Sequence, residues 1–277
     1  MTTTPFLELL ARAGQRNRSM LCVGLDPEPA KFPGDWRGDA RRIFDFCAAI
    51  VEATADTVNS FKPQIAYFAA HRAEDQLERL IAHIRRVAPG VPVILDAKRG
   101  DIGSTAEQYA REAFERYQAD ALTVSPFMGA DSLDPYLDAY PERGLFVLCR
   151  TSNPGGEDIQ ALELAGSPPE RVFERVARLA CGAWNRHGQV GLVTGATRPA
   201  DIVTIRAIAP TAPLLIPGIG AQGGDLAATV AAAGDRFLIN ASRSVLYASS
   251  GSDFAATARA EAQRLRAAIA AESGHRP

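Results

Sequence analysis

Charged residues at the ends of two short apolar segments have the types and spacing that acid–base chemistry needs. Asp96 and Lys98 stand two residues apart at the end of the run 92–96, and Lys62 follows the run 57–61. Alternate residues of a β-strand point to the same side, which predicts that Asp96 and Lys98 share one side of a strand. A lysine held among carboxylates can donate a proton and can stabilise negative charge that develops during a reaction.

Lysine is rare in this chain. Of 30 basic residues only Lys31, Lys62 and Lys98 are lysine, and the others are arginine. Lysine can release and regain a proton, whereas arginine effectively cannot. Lys62 and Lys98 are lysines despite this bias, which favours the interpretation that arginine cannot replace them. Lys31 lies in a proline-rich loop and is interpreted as chance retention.

Short apolar runs alternate with longer helical patterns along the chain. The predicted strands are 20–25, 57–61, 92–96, 121–124, 144–149, 190–194, 213–216 and 236–240. The predicted helices are 39–55, 72–87, 104–118, 130–139, 169–186, 199–207, 224–233 and 253–272, with a short one at 5–14 before the first strand. The segment 153–168 is predicted to be a long loop, and loops of this length tend to be functional.

Eight strand-then-helix units predict parallel strands joined by right-handed crossovers. They could form a closed barrel or an open doubly wound sheet. Eight is the number that closes a (β/α)8 barrel, and 277 residues suit that fold. We therefore predict an α/β fold, a single TIM-barrel domain over 1–277, with the helix at 5–14 closing the bottom of the barrel.

The carboxyl ends of the strands are where a barrel carries its functional residues. Asp26 follows the first predicted strand, so it joins Lys62, Asp96 and Lys98 at three neighbouring strand ends. Charges in such a place are costly unless paired, and ion pairs are a poor means of stabilising a core. A catalytic site is therefore favoured over the alternative, a buried salt bridge that only holds the barrel together.

The segments after the seventh and eighth predicted strands have the composition of a phosphate site. The segment 217–225 contains four glycines, and Arg243 follows the eighth strand. Glycines let backbone N–H groups approach an anion, and an arginine can add paired hydrogen bonds. The residues alone thus indicate a barrel enzyme with a phosphorylated substrate, but they do not identify the reaction.

Composition excludes several classes of partner and cofactor. The net charge of −2 gives no broad electrostatic argument for a nucleic acid or an anionic membrane, and no apolar run approaches the length of a membrane span. The four cysteines form no C-x-x-C pair, which argues against zinc or a dithiol site. His71 and Glu74 share a helix face without a third ligand. We expect no metal, no cofactor and, in the absence of a signal-peptide pattern, a cytoplasmic protein.

The motifs together resemble the orotidine 5′-monophosphate decarboxylase family. The segment 96–102 matches the family signature D-x-K-x-x-D-I. Further matches, in order over most of the chain, are Asp26, Lys62, the turn 151–155, the loop 217–225 and Arg243. The long loop after the fifth strand and the segment 126–129 are similar to the longer bacterial branch of the family.

The resemblance implies decarboxylation of orotidine 5′-monophosphate to UMP, the last step of de novo pyrimidine nucleotide synthesis, without metal or cofactor. Lys98 would donate a proton to C6 of the pyrimidine, and Asp96 would lie beside the departing carboxylate. Lys62 and Asp101 would complete a charged tetrad. Arginine would be a poor acid here, which agrees with the presence of lysine.

The resemblance also implies the substrate contacts. Asp26 and Lys62 would bind ribose hydroxyls, Ser152 the amide edge of the pyrimidine, and Arg243 the phosphate. Gln222 would bridge base and phosphate, with Pro217 and Gly220 in the same loop. Asp101, Ile102 and Thr105 would reach into the site of a partner subunit, so a homodimer is expected. One departure is Ser242, where shorter family members often have glycine.

Three alternatives remain open on the residues. Sugar-phosphate enzymes of the same superfamily carry a similar segment but are expected to bind Mg²⁺ through acidic residues, and Lys62 stands where they would need a carboxylate. A class I aldolase would use Lys98 as a Schiff base. A non-catalytic binder of nucleoside phosphates would not need Lys98.

Overall fold

Eight parallel β-strands form the centre of the molecule, which a computed structural model describes over residues 5–219 and 223–274. Their bounds are β1 Leu21–Leu25, β2 Ser60–Pro63, β3 Ile94–Arg99, β4 Ala121–Val124, β5 Gly144–Arg150, β8 Val190–Thr194, β9 Leu214–Pro217 and β10 Phe237–Ala241. Two further short strands, β6 Glu163–Leu164 and β7 Glu170–Arg171, pair antiparallel with each other. The eight-stranded sheet runs in the order β2-β1-β10-β9-β8-β5-β4-β3.

The two ends of this sheet meet and close it into a barrel. Isolated parallel bridges join Phe61 to Val93 and Gln64 to Asp96, which links β2 with β3. Neighbours around the barrel therefore follow chain order, as helical crossovers between parallel strands require. The predicted α/β barrel is confirmed, and its extent as a single domain over 1–277 stays a prediction.

The helices cover the outside of the barrel and one end of it. They are α1 Phe6–Asn17, α2 Ile43–Thr54, α3 Ile65–Ala69, α4 Glu74–Val87, α5 Gly103–Arg111, α6 Asp134–Leu137, α7 Val172–Cys181, α8 Pro199–Ile208, α9 Leu226–Ala233, α10 Arg243–Leu246 and α11 Phe254–Glu272. A π-helical turn at Glu112–Arg116 continues α5. None of the helices in these two described ranges is both long enough and apolar enough to cross a membrane.

The apolar core has two parts, separated by the wall of the barrel. The larger part lies between the strands and the surrounding helices. The smaller part fills the barrel itself and includes Phe6 and Leu10 of α1. Phe6 packs edge-on against Phe146 with ring centroids 5.8 Å apart, and it occupies the space that a side chain at Gly144 would need. Helix α1 therefore closes the amino-terminal end of the barrel, as predicted.

Several predicted boundaries are wrong. The second strand begins at Ser60 rather than 57, because Thr57 still belongs to the turn after α2 and its backbone N–H bonds to the Thr54 carbonyl. The fourth helix is shorter than 130–139: a 3₁₀ turn at Ala130–Ser132 precedes α6.

The segment 153–168 is more ordered than the predicted loop. It holds a 3₁₀ helix at Pro154–Asp158 and the strand β6, whose partner β7 occupies the start of the predicted helix 169–186. The α-helix there begins only at Val172. Strands of two residues are too short to show an alternating pattern, so no periodicity predicts this hairpin.

Candidate active site

Lys62, Asp96 and Lys98 meet at the carboxyl edge of the barrel, as predicted. We call these three residues the lysine cluster. Lys62 Nζ lies 2.7 Å from Asp96 Oδ2, and Lys98 Nζ lies 2.6 Å from Asp96 Oδ1. The side chains of Lys62 and Asp96 are only 6% and 10% exposed, whereas that of Lys98 is 46% exposed. One carboxylate thus holds two ammonium groups, of which only Lys98 has ready access to solvent.

The backbone at Lys98 departs from a regular strand. Its φ is +48°, in the left-handed region that a lysine rarely adopts, and the pairing of β3 with β4 shifts register between Leu95 and Arg99. Such strain commonly marks functional sites and costs about 1–3 kcal/mol. Simple alternation correctly predicted that Asp96 and Lys98 meet, but it did not predict this irregularity.

The charges of the lysine cluster stabilise one another. Burial by itself would raise the pKa of Asp96, but Lys62 and Lys98 outweigh it and hold that pKa well below its ordinary value. Burial would lower the pKa of Lys62, but Asp96 and Asp26 outweigh it and raise that pKa. Asp96 is therefore a carboxylate and Lys62 an ammonium at neutral pH.

The lysine cluster opens into a cavity of about 240 Å³. Its lining includes predicted site residues from opposite sides of the barrel mouth: Asp26, Lys62, Asp96, Lys98, Pro217 and Arg243. Asp26 Oδ1 is buried there without a hydrogen-bond partner among the described residues. The exposed Arg243 guanidinium makes no ion pair within the same part of the chain. A buried acceptor and an unpaired cation suit a ligand that carries hydroxyls at one end and an anion at the other.

The predicted phosphate loop is described only in part. Gly218 has φ +105°, and Gly224 has no room for a side chain because a Cβ there would lie 2.7 Å from Ala196 Cβ. Gly220 and Gln222 lie outside the described residues. Ser242, the departure from shorter family members, has φ −115°, so its backbone does not require glycine.

Four predicted site residues do not line this cavity. Ile102 is 51% exposed, and Thr105 is also exposed. The half-buried Asp101 accepts a hydrogen bond from the Ile102 backbone N–H and makes no ion pair with the lysine cluster. Ser152 follows β5 and packs closely on Gly195, where a Cβ would lie 2.6 Å from Ser152 Cα.

A second group of charges is centred on Arg150, at the end of β5 and two residues before Ser152. We call Arg150, Glu157, Arg171, Arg198 and Asp201 the arginine cluster. Arg150 Nε lies 2.8 Å from Asp201 Oδ2, and its Nη2 contacts Glu157. Arg171 Nη1 lies 3.0 Å from Asp201 Oδ1, the other oxygen of that carboxylate, and Arg198 Nη2 lies 2.7 Å from Glu157 Oε1, the oxygen that Arg150 also contacts. The cluster thereby joins β5, the long loop and α8.

Sequence reasoning missed several residues at the site. Gln64, Tyr67 and Asn240 also line the cavity, and Thr123 bonds Asp96 from the neighbouring strand. Asn240 ends the predicted strand 236–240, which could have pointed to it, whereas Gln64 lies three residues beyond the predicted strand 57–61. No group of three or more histidine, cysteine or acidic side chains able to hold a metal occurs within 5–219 and 223–274.

Comparisons with known proteins agree with this geometry. The model of the family described as orotidine 5′-phosphate decarboxylase / HUMPS matches residues 19–259. An orotidine 5′-phosphate decarboxylase of Delftia acidovorans is 68% identical over 265 residues, covering 94% of this chain and 96% of the relative. One from Polaromonas naphthalenivorans is 67% identical over 267 residues, covering 94% of each. The structure of Leishmania donovani OMP decarboxylase superposes with a TM-score of 0.85 at 39% identity, covering 98% of this chain and 100% of that one.

Proposed function

Since this chain belongs to the orotidine 5′-phosphate decarboxylase / HUMPS family, we propose that it decarboxylates orotidine 5′-monophosphate to UMP. Identities above 60% to several relatives named for this activity support the decarboxylase branch of the family. The observation that carries the proposal is the lysine cluster: a half-exposed lysine fixed by a buried carboxylate at the wall of a cavity.

Lys98 performs the proton transfer. The bond between C6 and the carboxylate carbon breaks, CO2 leaves, and the electron pair stays on C6. The Lys98 ammonium stabilises this charge and then donates its proton to C6, after which it regains a proton from solvent. Asp96 holds the ammonium in place and lies beside the departing carboxylate, while the buried Lys62 keeps Asp96 ionised.

The rest of the cavity binds the ribose and the phosphate. Asp26 and Lys62 bind ribose hydroxyls, which the unpaired Asp26 Oδ1 supports. Arg243 binds the phosphate with the loop that begins at Pro217 and includes Gly220 and Gln222, the latter also reaching the base. Ser152 contacts the amide edge of the pyrimidine. Phosphate contacts far from C6 contribute binding energy that orients the reacting ring.

The protein acts as a homodimer in the cytoplasm. Asp101, Ile102 and Thr105 complete the site of the partner subunit, a proposal supported by the finding that they do not line the cavity of their own chain. Ile102, Phe127 and Met128 are 51%, 82% and 43% exposed, and the Met128 side chain lies near Gly100 in the segment that leads to Ile102, which suits an interface between copies. The cysteines in the described ranges are unpaired, which agrees with a reducing compartment.

Mixing two inactive variants tests the shared site. Lys98→Ala and Asp101→Ala subunits, dissociated and reassociated together, should regain about one quarter of wild-type activity, because half of the dimers contain one intact site. Each variant treated alone is the control and should stay inactive. No recovery from a mixture that demonstrably forms mixed dimers would contradict this arrangement.

Turnover of orotidine 5′-monophosphate by chelator-treated protein tests the reaction. The loss of pyrimidine absorbance should proceed without added metal, stop with Lys98→Ala, and slow about 100-fold in kcat/KM with Arg243→Ala. The exposed Arg12→Ala, on α1 at the opposite end of the barrel, is a matched control and should behave as wild type. Turnover that requires Mg²⁺, or activity only on a sugar phosphate, would favour the other branch of the family.

A further inference from the structure

Thr123, on β4, makes an unusually complete set of hydrogen bonds to the strand that carries Asp96 and Lys98. Its side chain is buried, and its hydroxyl oxygen accepts from the backbone N–H groups of Ala97 and Lys98, each at 3.0 Å. The same hydroxyl donates to Asp96 Oδ1 at 2.9 Å. A hydroxyl has one proton and two lone pairs, so every hydrogen-bonding capacity of Thr123 is directed at these three residues.

The backbone bonds of Thr123 replace a missing part of the strand ladder. Because the pairing of β3 with β4 changes register between Leu95 and Arg99, the backbone at 97 and 98 has no regular partner on β4. Backbone N–H groups need a partner when they are removed from water, and here the threonine oxygen supplies it. The hydroxyl thereby holds the left-handed backbone of Lys98, whose φ is +48°.

The third bond of Thr123 fixes the other end of the lysine. Asp96 Oδ1, which accepts from the hydroxyl, is also the atom that lies 2.6 Å from Lys98 Nζ. Thr123 thus positions both the backbone of Lys98 and the carboxylate that holds the Lys98 ammonium group. Resting on the proposed function, we infer that Thr123 is a positioning residue for proton donation by Lys98.

Replacement of Thr123 by valine and by serine tests this inference. Thr123→Val keeps the shape but removes the hydroxyl, so kcat for orotidine 5′-monophosphate should fall about 30- to 100-fold, as for an approximately 1 Å misplacement of a catalytic group. KM and the affinity for UMP should stay within about threefold, because the ribose and phosphate contacts come from other strands. Thr123→Ser keeps the hydroxyl and should restore kcat to within about threefold of wild type.

Thr194 provides a matched control for the general effect of such a substitution in the barrel. It is fully buried at the end of β8, and its hydroxyl has no hydrogen-bond partner in the part of the chain that the structure describes. Thr194→Val makes the same chemical change and should leave kcat within about twofold of wild type. A fall in kcat common to both valine variants would overturn the inference and indicate a general packing effect.

Two other results would also overturn it: Thr123→Val with kcat within threefold of wild type, or Thr123→Ser as impaired as Thr123→Val. If Thr123→Val does not fold, Thr123→Ala takes its place, and equal kcat values for the alanine and serine variants would likewise count against the inference. A wild-type protein that neither turns over orotidine 5′-monophosphate nor binds UMP would instead refute the proposed function, so the two failures are distinguishable.

Discussion

The lysine cluster and the arginine cluster lie at the same edge of the barrel, and each combines basic side chains with carboxylates. They differ in their exposure to solvent and in whether the cations are lysines or arginines. The lysine cluster opens into a cavity, and nearly half of the Lys98 side chain is exposed. The centre of the arginine cluster is closed, because the Arg150 side chain is 2% exposed and is held by two carboxylates, while Glu157 and Arg198 at its rim are 44% and 47% exposed.

This difference suits the lysine cluster to catalysis and the arginine cluster to holding the structure together. An arginine cannot release its proton, but its planar group can bind two carboxylates at once, which suits it to join β5 to the long loop and to α8. A lysine ammonium is compact and can transfer a proton, which suits a group that faces a cavity. Buried charges at a barrel edge therefore indicate catalysis only where a titratable member reaches open space.

Exchanging Lys98, the exposed cation of the lysine cluster, for arginine gives the largest expected loss of activity. Lys98→Arg keeps the positive charge beside Asp96 but removes the proposed proton donor, since the guanidinium does not titrate in proteins. We expect kcat to fall about 1000-fold, within the range that general acid–base catalysis contributes. Steady-state turnover of orotidine 5′-monophosphate measures it, with UMP binding as the check that the site remains formed. An arginine variant with more than about a tenth of wild-type kcat would mean that charge alone suffices.

Removing Arg150, the central cation of the arginine cluster, should instead lower the free energy of unfolding. Arg150→Met leaves the buried Asp201 with one cation fewer, and breaking a buried pair of this kind costs about 3 kcal/mol, whereas the lost contact with the 44% exposed Glu157 adds little. Denaturant unfolding measures this loss.

Lys98→Met is the matched comparison for the loss of stability. It removes a half-exposed lysine while Asp96 keeps Lys62, so it should cost less than about 1 kcal/mol. Equal losses of stability for the two methionine variants would erase the distinction between the clusters.

The same comparison explains what could be predicted from sequence. Apolar runs and their spacing predicted the barrel, and the position of charged residues at strand ends predicted the lysine cluster, because both follow from local periodicity. The position of Arg150 cannot be predicted in this way, since its partner Asp201 lies 51 residues away and only the closed barrel brings them together.

Thr123 was missed for a different reason. It stands in the middle of an apolar strand, where its residue type agrees with ordinary β-propensity and carries no functional signal. Its importance comes from the irregular backbone at Lys98, which alternation cannot predict. Boundaries near 57–59 were wrong because β-branched residues in the turn before β2 resemble the start of a strand.

The smallest expected effect comes from the lysine outside both clusters. Lys31 has the same exposed fraction as Lys98, 46%, and it also pairs with a carboxylate, at 2.9 Å from Glu28. Lys31→Arg preserves this surface pair, so kcat should change less than about twofold and stability less than about 0.5 kcal/mol. Lys31 and Lys98 have the same charge and the same exposed fraction, and each pairs with a carboxylate. Any difference in activity between Lys31→Arg and Lys98→Arg therefore reflects where the two lysines lie in the molecule. A loss of activity close to that of Lys98→Arg would show that the effect comes from lysine replacement in general, and the assignment of proton transfer to Lys98 would lose its main support.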